Sequence, residues 1–392
     1  MKKILFATTA LVATAGVAAA DVSFSGYGRF GAISTEGSAQ TGTAAQRAAA
    51  AAALTAASAA HAPNVAALTA AQTAYTANPT AANGAALLAA QGVAAGSAAA
   101  LAGASATNNL LNGSPDITGI YTRIRLQIDM TTEADNGLTF GARLRMQDTS
   151  VDGAGYGNGG TTTGGFNGAR FYAKMGGLEI GVGNIIGAIE GMSGLYMSTQ
   201  SGDIGLSGLG FHSLVTNTVA QGYWGWDAYS SGGAGVDGVE VMYSAGDFSG
   251  HLSYSNGGGV STTGLNVAYS FNDWTVALGY QDGDTNAARD KAVITVGGKI
   301  GPVNVGLAYA DNNGTGKVAL TGQVEVGAAT RIDMFVSSDD SSVNTAGYNV
   351  NLDPSYGLAV SHSLGGGASV EGGVVRTPFG TTSADLGIKF NF

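Results

Sequence analysis

Residues Ile120 to Asp148 read IYTRIRLQIDMTTEADNGLTFGARLRMQD. With a period of two, Ile120, Thr122, Ile124, Leu126, Ile128 and Met130 share one face, and Tyr121, Arg123, Arg125, Gln127 and Asp129 share the other. Glu133-Ala134-Asp135-Asn136-Gly137 then reverses the chain, Asn-Gly being a strong hairpin cue. On the return, Leu138, Phe140, Ala142, Leu144 and Met146 line up against Thr139, Arg143, Arg145 and Gln147. Successive side chains on a strand point to opposite sides of the sheet. The stretch therefore predicts a hairpin with one apolar face and one face studded with arginine. Two settings fit it. In a soluble sandwich the apolar face meets a second sheet; in a transmembrane barrel it meets lipid and the arginines line a wet interior.

The rest of the chain decides between them. Residues 1–20, MKKILFATTALVATAGVAAA, have two lysines, a short apolar run and a small-residue end, the pattern of a secretory signal peptide cleaved before Asp21. The mature chain is then 21–392. No cysteine is present, which excludes disulfides, thiolate metal sites and cysteine nucleophiles. Lys and Arg number 17 against 27 Asp and Glu, and losing Lys2 and Lys3 with the leader makes the chain more acidic still, which argues against nucleic acid as a partner. Charged residues make up 11%, well below the usual ~25%. No later apolar run reads as a transmembrane helix. An exported, glycine-rich, sparsely charged chain without helical spans is what a transmembrane barrel requires.

The first mature strand sets Val22, Phe24, Gly26, Gly28 and Phe30 against Ser23, Ser25, Tyr27 and Arg29. From Glu36 to Ser114 the composition changes to a low-complexity tract of Ala, Thr and Asn. Alanine favours helices, broken near Pro63 and Pro79, with Leu54, Val65, Leu68, Leu87, Leu88 and Leu101 as a thin apolar stripe. With so little bulk to bury, a disordered loop is the alternative. In both cases the tract lies in the first outside loop, since strands flank it.

Strand patterns recur over 169–175, 178–183, 236–245, 248–255, 261–271, 274–281, 291–300, 303–310, 317–327, 330–337, 356–364, 368–376 and 383–392. With the first three this makes about sixteen, and short turns such as Gly176-Gly177 and Asn272-Asp273 alternate with long polar links, as in a bacterial barrel. Tyr243, Phe248, Tyr254, Tyr269, Phe271, Trp274, Tyr280, Tyr309, Phe335 and Tyr356 sit near strand ends and are candidate girdle residues at the lipid boundary. The last strand, ending DLGIKFNF, must pair with the first, because a sheet edge exposed in lipid is not tolerated.

The start DVSFSGYGRFG, the hairpin DMTTEADNGLTFGARLRMQD and the end YGLAVSHSLGGGASVEGGVVRTPFGTTSADLGIKFNF resemble the general porins of Gram-negative outer membranes, in particular the alphaproteobacterial, Rhodobacter-type porins. The alanine-rich insert at 36–114 departs from that family. The resemblance implies a homotrimer of sixteen-stranded barrels in the outer membrane, each narrowed by its third outside loop folded inward. On the present register that loop is 184–235, and its only charged residues are Glu190, Asp203 and Asp227. The lumen face of the first four strands carries Arg29, Arg123, Arg125, Arg143, Arg145, Arg170 and Lys174. An acidic loop across from that wall would balance it and set a transverse field; alternatively some of the arginines pair with Asp129, Asp148 or Glu179 within the wall. Tyr196, Phe211, Tyr223, Trp224, Trp226 and Tyr229 read as loop anchors, with a sugar-binding track as the alternative.

No motif supports catalysis. His61, His212, His251 and His362 lack a triad arrangement, and the glycine runs are turns rather than phosphate cradles. Asp282 with Asp284, and Asp339 with Asp340, are the only Ca²⁺ candidates, against the commoner outcome of solvated acidic loops. The sequence predicts an all-β transmembrane porin without cofactor, passing ions and small hydrophilic solutes by passive diffusion, with outer-membrane lipid and lipopolysaccharide around it. The alternatives are a substrate-selective porin, or a barrel-anchored surface protein whose insert is a plug or an interaction module. The acidic net charge favours cations; the arginine wall favours anions.

Overall fold

The computed structural model describes residues 21–37, 42–113, 116–151, 165–196, 205–208, 226–231, 235, 237–257, 260–284, 290–340, 342–345, 348–351, 353–378 and 380–392. The leader, His212 and, of the loop residues singled out above, Asp203, Phe211, Tyr223 and Trp224 lie outside them. The opening hairpin is β2 (Ile117–Glu133) and β3 (Thr139–Val151), in a register that sets Ile124 opposite Asp148 and Asp129 opposite Arg143. Its turn is held by Asn136 Oδ1, which accepts from the Leu138 amide at 3.1 Å.

Fourteen further strands join it in the barrel. The first are β1 (Asp21–Thr35), β4 (Arg170–Met175), β5 (Leu178–Asn184), β6 (Asp237–Ala245), β7 (Phe248–Gly257) and β8 (Val260–Phe271). Next come β9 (Trp274–Gly283), β10 (Lys291–Ile300), β11 (Val303–Asn312), β12 (Thr315–Val326) and β13 (Thr330–Asp339). A short hairpin, β14 (Ser342–Thr345) with β15 (Tyr348–Asn351), decorates the next outside link, where only a polar loop was expected. The chain finishes with β16 (Ser355–Gly365), β17 (Ala368–Arg376) and β18 (Thr382–Asn391). Sixteen strands close one antiparallel barrel, in which β1 bonds both β2 and β18. At the seam the Gly26 amide donates to the Phe392 carbonyl at 2.9 Å and the Phe392 amide returns the bond at 3.0 Å, so no edge is left open.

The period-two alternation sorts the strands' side chains. Phe24, Phe30, Ile120, Ile124, Phe171 and Leu386 face outward and are exposed, while Arg29, Arg170, Glu240 and His251 face inward and are buried. An exposed apolar belt on a closed barrel is suited to lipid. Among the candidate girdle residues, Tyr243, Phe248, Tyr254, Tyr269, Tyr280, Tyr309 and Tyr356 are exposed with the belt. Phe335 is not: it stands one position from outward Met334 and Val336, points inside, and is buried with Ile33, Tyr121, Leu206, Ala359 and Val375.

The insert is two antiparallel helices, α1 (Ala44–Ala77) and α2 (Ala81–Asn112), each about 50 Å long at 1.5 Å per residue. A capping box starts α1, with Thr43 and Gln46 exchanging side-chain-to-backbone bonds, and the Thr80 side chain caps α2. The chain breaks near Pro79 as expected, but α1 runs through Pro63. The surrounding alanines and the packing along α2 outweigh the missing donor there. Leu54, Leu68, Leu87 and Leu101 lie half-buried along the helix seam, whereas Val65 and Leu88 are exposed. One further correction concerns α2. Over Ala81–Asn109 it is long enough, and apolar enough along part of its length, to cross a membrane by length and composition alone. Alanine supplies most of that apolar character, with only Leu87, Leu88, Val93 and Leu101 as larger aliphatic residues, so the tract lacks the bulk of an ordinary span.

Candidate functional site

The basic residues gather on adjacent strands because the register stacks them. Arg29 stands opposite Arg123 across β1 and β2, and Arg143 opposite Arg170 across β3 and β4. Bringing seven cations onto one wall costs energy unless each is solvated or partnered, and the partners divide the group. Arg170 is the most completely paired: its Nε is 2.6 Å from Glu240 and its Nη2 is 2.7 Å from Glu179. Arg143 pairs with Asp129 at 2.6 Å. Within-wall pairing thus holds for these two, through Asp129 and Glu179 as weighed and through Glu240 besides. Asp148 lies opposite Ile124, which is outward, and so turns away from the arginines.

The others also bond or stack on neutral groups. Arg29 donates from Nε and Nη2 to the Tyr121 hydroxyl at 3.0 and 2.6 Å, and its guanidinium lies 5.1 Å from the Tyr121 ring centre. Arg123 donates to Thr149 at 3.0 Å and Arg125 to Gln147 at 2.7 Å. Arg145 donates to Gln127 and to Ser231, each at 3.0 Å, and stacks 4.7 Å over Tyr229. Lys174 sits 5.8 Å over the Tyr172 ring. Neutral partners leave the positive charge in place while fixing its position.

The long link after β5 supplies Tyr229 and Ser231, and its described parts lie inside the barrel. Side chains of the inner wall hold its backbone. The Ile186 and Gly187 amides donate to Glu240 Oε2 at 3.0 and 3.1 Å, and the Ala188 amide donates to Ser253 at 2.9 Å. Asn266 donates to the Ala188 carbonyl, and Thr295 to the Ser193 carbonyl at 2.6 Å. Farther along, the Ser207 amide donates to Asp385 Oδ2 at 2.5 Å. Gly187 and Gly205 adopt φ of +86° and +73°, and at each a Cβ would run into Asp227 or Asp385. Only glycine serves at both.

Apolar packing completes the fit. Ile189, Met192, Leu195 and Trp226 pack with Ala268, Ala277, Ala308, Ala310 and Ala319 of β8 to β12, and Leu206 packs with Ile33, Phe335 and Val375. Alanine on those inward positions makes the room in which the loop lies. On the return, Tyr229 donates to the Arg143 carbonyl at 3.1 Å, and the Ser230 amide to Asn184 at 3.2 Å.

The loop carboxylates take different places. Glu190 Oε2 accepts from the Tyr196 hydroxyl and from Trp226 Nε1, the latter at 2.8 Å. Burial raises its pKa above the ordinary carboxylate range, against the pull of those two donors and of Arg145. Asp227 packs against Gly187, and burial raises its pKa too, with Glu240 adding to the rise. Tyr196, Trp226 and Tyr229 are therefore loop anchors, as read. Inward charges not singled out in the sequence include Glu240, which joins Arg170, His251 and the loop backbone, Asp333 of β13, Glu371 of β17, and Asp385 and Lys389 of β18, the latter opposite Arg29. Their signal was available: a charged residue in the middle of a strand of a lipid-embedded barrel is favoured on the inner face, whereas nearer a strand end, as at Asp148, it can face outward.

Asp284 accepts from the Ser261 amide at 2.9 Å and Asp282 from the Gly283 amide at 2.9 Å, so both work as turn residues. Asp340 donates its amide to the Gly316 carbonyl at 2.9 Å, and the side chain of Asp339 is outside the described set. Among the described residues no group of three or more His, Asp or Glu is placed to hold a metal ion.

Comparison with known proteins agrees with this geometry. The porin of Fuscovulum blasticum is 28% identical over 290 residues, covering 70% of this chain and 92% of that one. A solved mutant of the Rh. blastica porin superposes with a TM-score of 0.59 at 22% identity, over 95% of this chain and 100% of the other. A triple mutant of the Rhodopseudomonas blastica porin gives the same score at 21% identity. The family model of the Gram-negative porins matches residues 48–381, most of the chain. With the closed barrel, the apolar belt and the charged interior, this settles that the chain belongs to the Gram-negative porins, channels for passive diffusion across the outer membrane.

Proposed function

We propose that the water path of this porin runs between the basic wall of β1 to β4 and the inward link 184–235, which narrows it. The observation that carries this reading is the spread of that link's contacts around the ring: it leaves from β5, is held by Thr295 of β10 at Ser193 and by Asp385 of β18 at Ser207, and returns past Arg145 of β3 through Tyr229 and Ser231. Charged groups lining a narrow point set permeability by size and sign. Arg123 and Arg145, whose hydrogen bonds go to neutral groups, face the path together with Arg29 and Arg125, and this wall favours anions there despite the chain's net charge of −10. The functional unit is a homotrimer seated in lipopolysaccharide and lipid, as oligomers are typical of the family. The protein acts as a channel and not as an enzyme.

The test is single-channel recording of the refolded protein in a planar bilayer, with reversal potential in a salt gradient. Stable steps that close in threes and a reversal potential of the anion-selective sign are expected. Silence, relieved only by deleting 36–114, would make the insert a plug and sink the open-channel reading.

A further inference from the structure

Glu190 is a half-buried carboxylate of the loop, and as a sequence feature it reads as one of the acidic charges that balance the basic wall and set a transverse field. Its geometry says otherwise. One oxygen, Oε2, accepts from Tyr196, six residues on along the outgoing limb, and from Trp226, 36 residues on along the returning limb. Trp226 is packed with Ile189, Met192 and Leu195 over the alanines of β8 to β12, and Tyr196 touches both that cluster and the one containing Phe335 and Ala359. The carboxylate therefore ties together two limbs of the loop and two patches of the wall. Hydrogen bonds to an ionised acceptor are about twice as strong as neutral ones. A link made through one shared oxygen also fixes the two rings relative to each other.

We propose that Glu190 is a positioning residue: it clasps the two limbs of the inward loop and so sets the bore of the channel, while contributing little to its ionic preference. This rests on the reading that the loop narrows the path, and it assigns the property of bore to one atom of that loop. Chemically, the clasp is an acceptor function. Any group offering an oxygen in that place preserves part of it, and removing the two donors abolishes it without altering any charge.

The experiment compares Glu190→Ala, Glu190→Gln and the double variant Tyr196→Phe, Trp226→Phe in the full chain, refolded and recorded in a planar bilayer. Folding is checked by heat-modifiable gel mobility. Bore is read by the size of neutral polyethylene glycol excluded from the channel, and selectivity by reversal potential. Glu190→Ala and the double variant should both raise open-channel noise and shift exclusion to larger polymers. Glu190→Gln should be rescued in part, because its amide oxygen still accepts. Reversal potential should stay at the wild-type value in all three.

In a background with Trp224 and Trp274 changed to phenylalanine, Glu190→Ala should shift Trp226 emission to the red. Equal shifts of reversal potential in Glu190→Ala and Glu190→Gln, with the double variant matching wild type, would overturn the clasp and restore the charge role. If the double variant does not fold, Trp226→Phe alone decides between the same outcomes. Variants indistinguishable from a conducting wild type refute the clasp and leave the channel reading intact. A silent wild type refutes the channel reading itself.

Discussion

Two long links depart from an ordinary hairpin in this barrel, and they satisfy their backbones in opposite ways. Beyond Glu36, which bonds to Thr382 and Arg376 of the wall, the insert between β1 and β2 is self-sufficient. Its amides and carbonyls bond within two helices, its ends carry their own caps, and its buried residues, Ala50 and Ala94 among them, lie along its own seam. The link between β5 and β6 bonds its described backbone to itself only in short turns, as over 187–195. Its described backbone bonds to Glu240, Ser253, Asn266, Thr295 and Asp385 of the wall. Buried backbone groups must be paired somewhere. The insert answers that demand locally, so it is separable from the barrel. The loop answers it with wall side chains, so loop and wall stand or fall together.

The sharpest way to break this comparison is at Glu240. Glu240→Ala removes the acceptor of two loop amides and leaves Arg170, 3% exposed, with Glu179 as its remaining carboxylate. Breaking a buried pair from one side costs about 3–5 kcal/mol. A large fall in the urea midpoint of the refolded barrel, together with noisy or enlarged conductance, is expected. Deleting 38–114, which leaves Glu36 on Thr382 and Arg376, is the matching test of the other link. Thr35 and Ile117 are already paired in register, so a tight turn can join them. The midpoint and conductance should then equal those of the intact protein; a loss of either would show that the insert is coupled to the barrel after all.

Smaller changes within the insert sharpen the contrast. Ala50 is 1% exposed, and Ala50→Phe overpacks the seam at a cost of about 1–3 kcal/mol. Thr80→Ala removes the cap of α2, whose side chain accepts from the Asn83 amide at 3.2 Å, and costs about 1 kcal/mol. Faster hydrogen exchange should follow in α1 and α2 alone, with β1 to β18 unaffected. Spread of the effect into the barrel amides would contradict a self-contained insert.

How far the sequence revealed each region follows from the same difference. The barrel was legible because its period-two pattern is local and repeats on every strand. Even the closing pair could be deduced from the intolerance of lipid for an open edge. The seam of the insert was half legible: Leu54 and Leu101 read correctly, but alanine fills so much of both helices that Val65 and Leu88 could not be told from seam positions. The loop was the least legible. Its path is written in the wall, in alanines at 268, 277, 308, 310 and 319 and in Asp385, far from it in sequence. A lone alanine in a strand carries no such message until the strands are rolled up. Phe335 misled for the same reason: near a strand end an aromatic suggests a girdle, yet its parity places it inside, against Leu206 of the loop.

The smallest expected effect is a dependence on pH, and its sign separates stability from gating. Burial holds the Glu190 pKa above the ordinary range, and the groups facing it are Tyr196, Trp226 and Arg145, with Tyr229 stacked on the latter. A carboxyl whose folded pKa is raised favours the folded state in its protonated form; that contribution is present at low pH and is lost as pH rises through the raised value. Acidification therefore does not weaken the fold through this group. It does remove the charge from the clasp's acceptor, and the bonds from Tyr196 and Trp226 lose their charge-assisted strength. Open-channel noise should rise as pH falls, beginning above the ~4.3 of a free glutamate, while the urea midpoint holds. Asp227 is shifted in the same direction by burial and by Glu240, so the recording belongs in an Asp227→Asn background. There Glu190→Gln should flatten the noise profile, since an amide does not titrate in this range. A profile in Glu190→Gln that still follows the wild-type curve would place the titrating group elsewhere and remove the clasp from the gating of this channel.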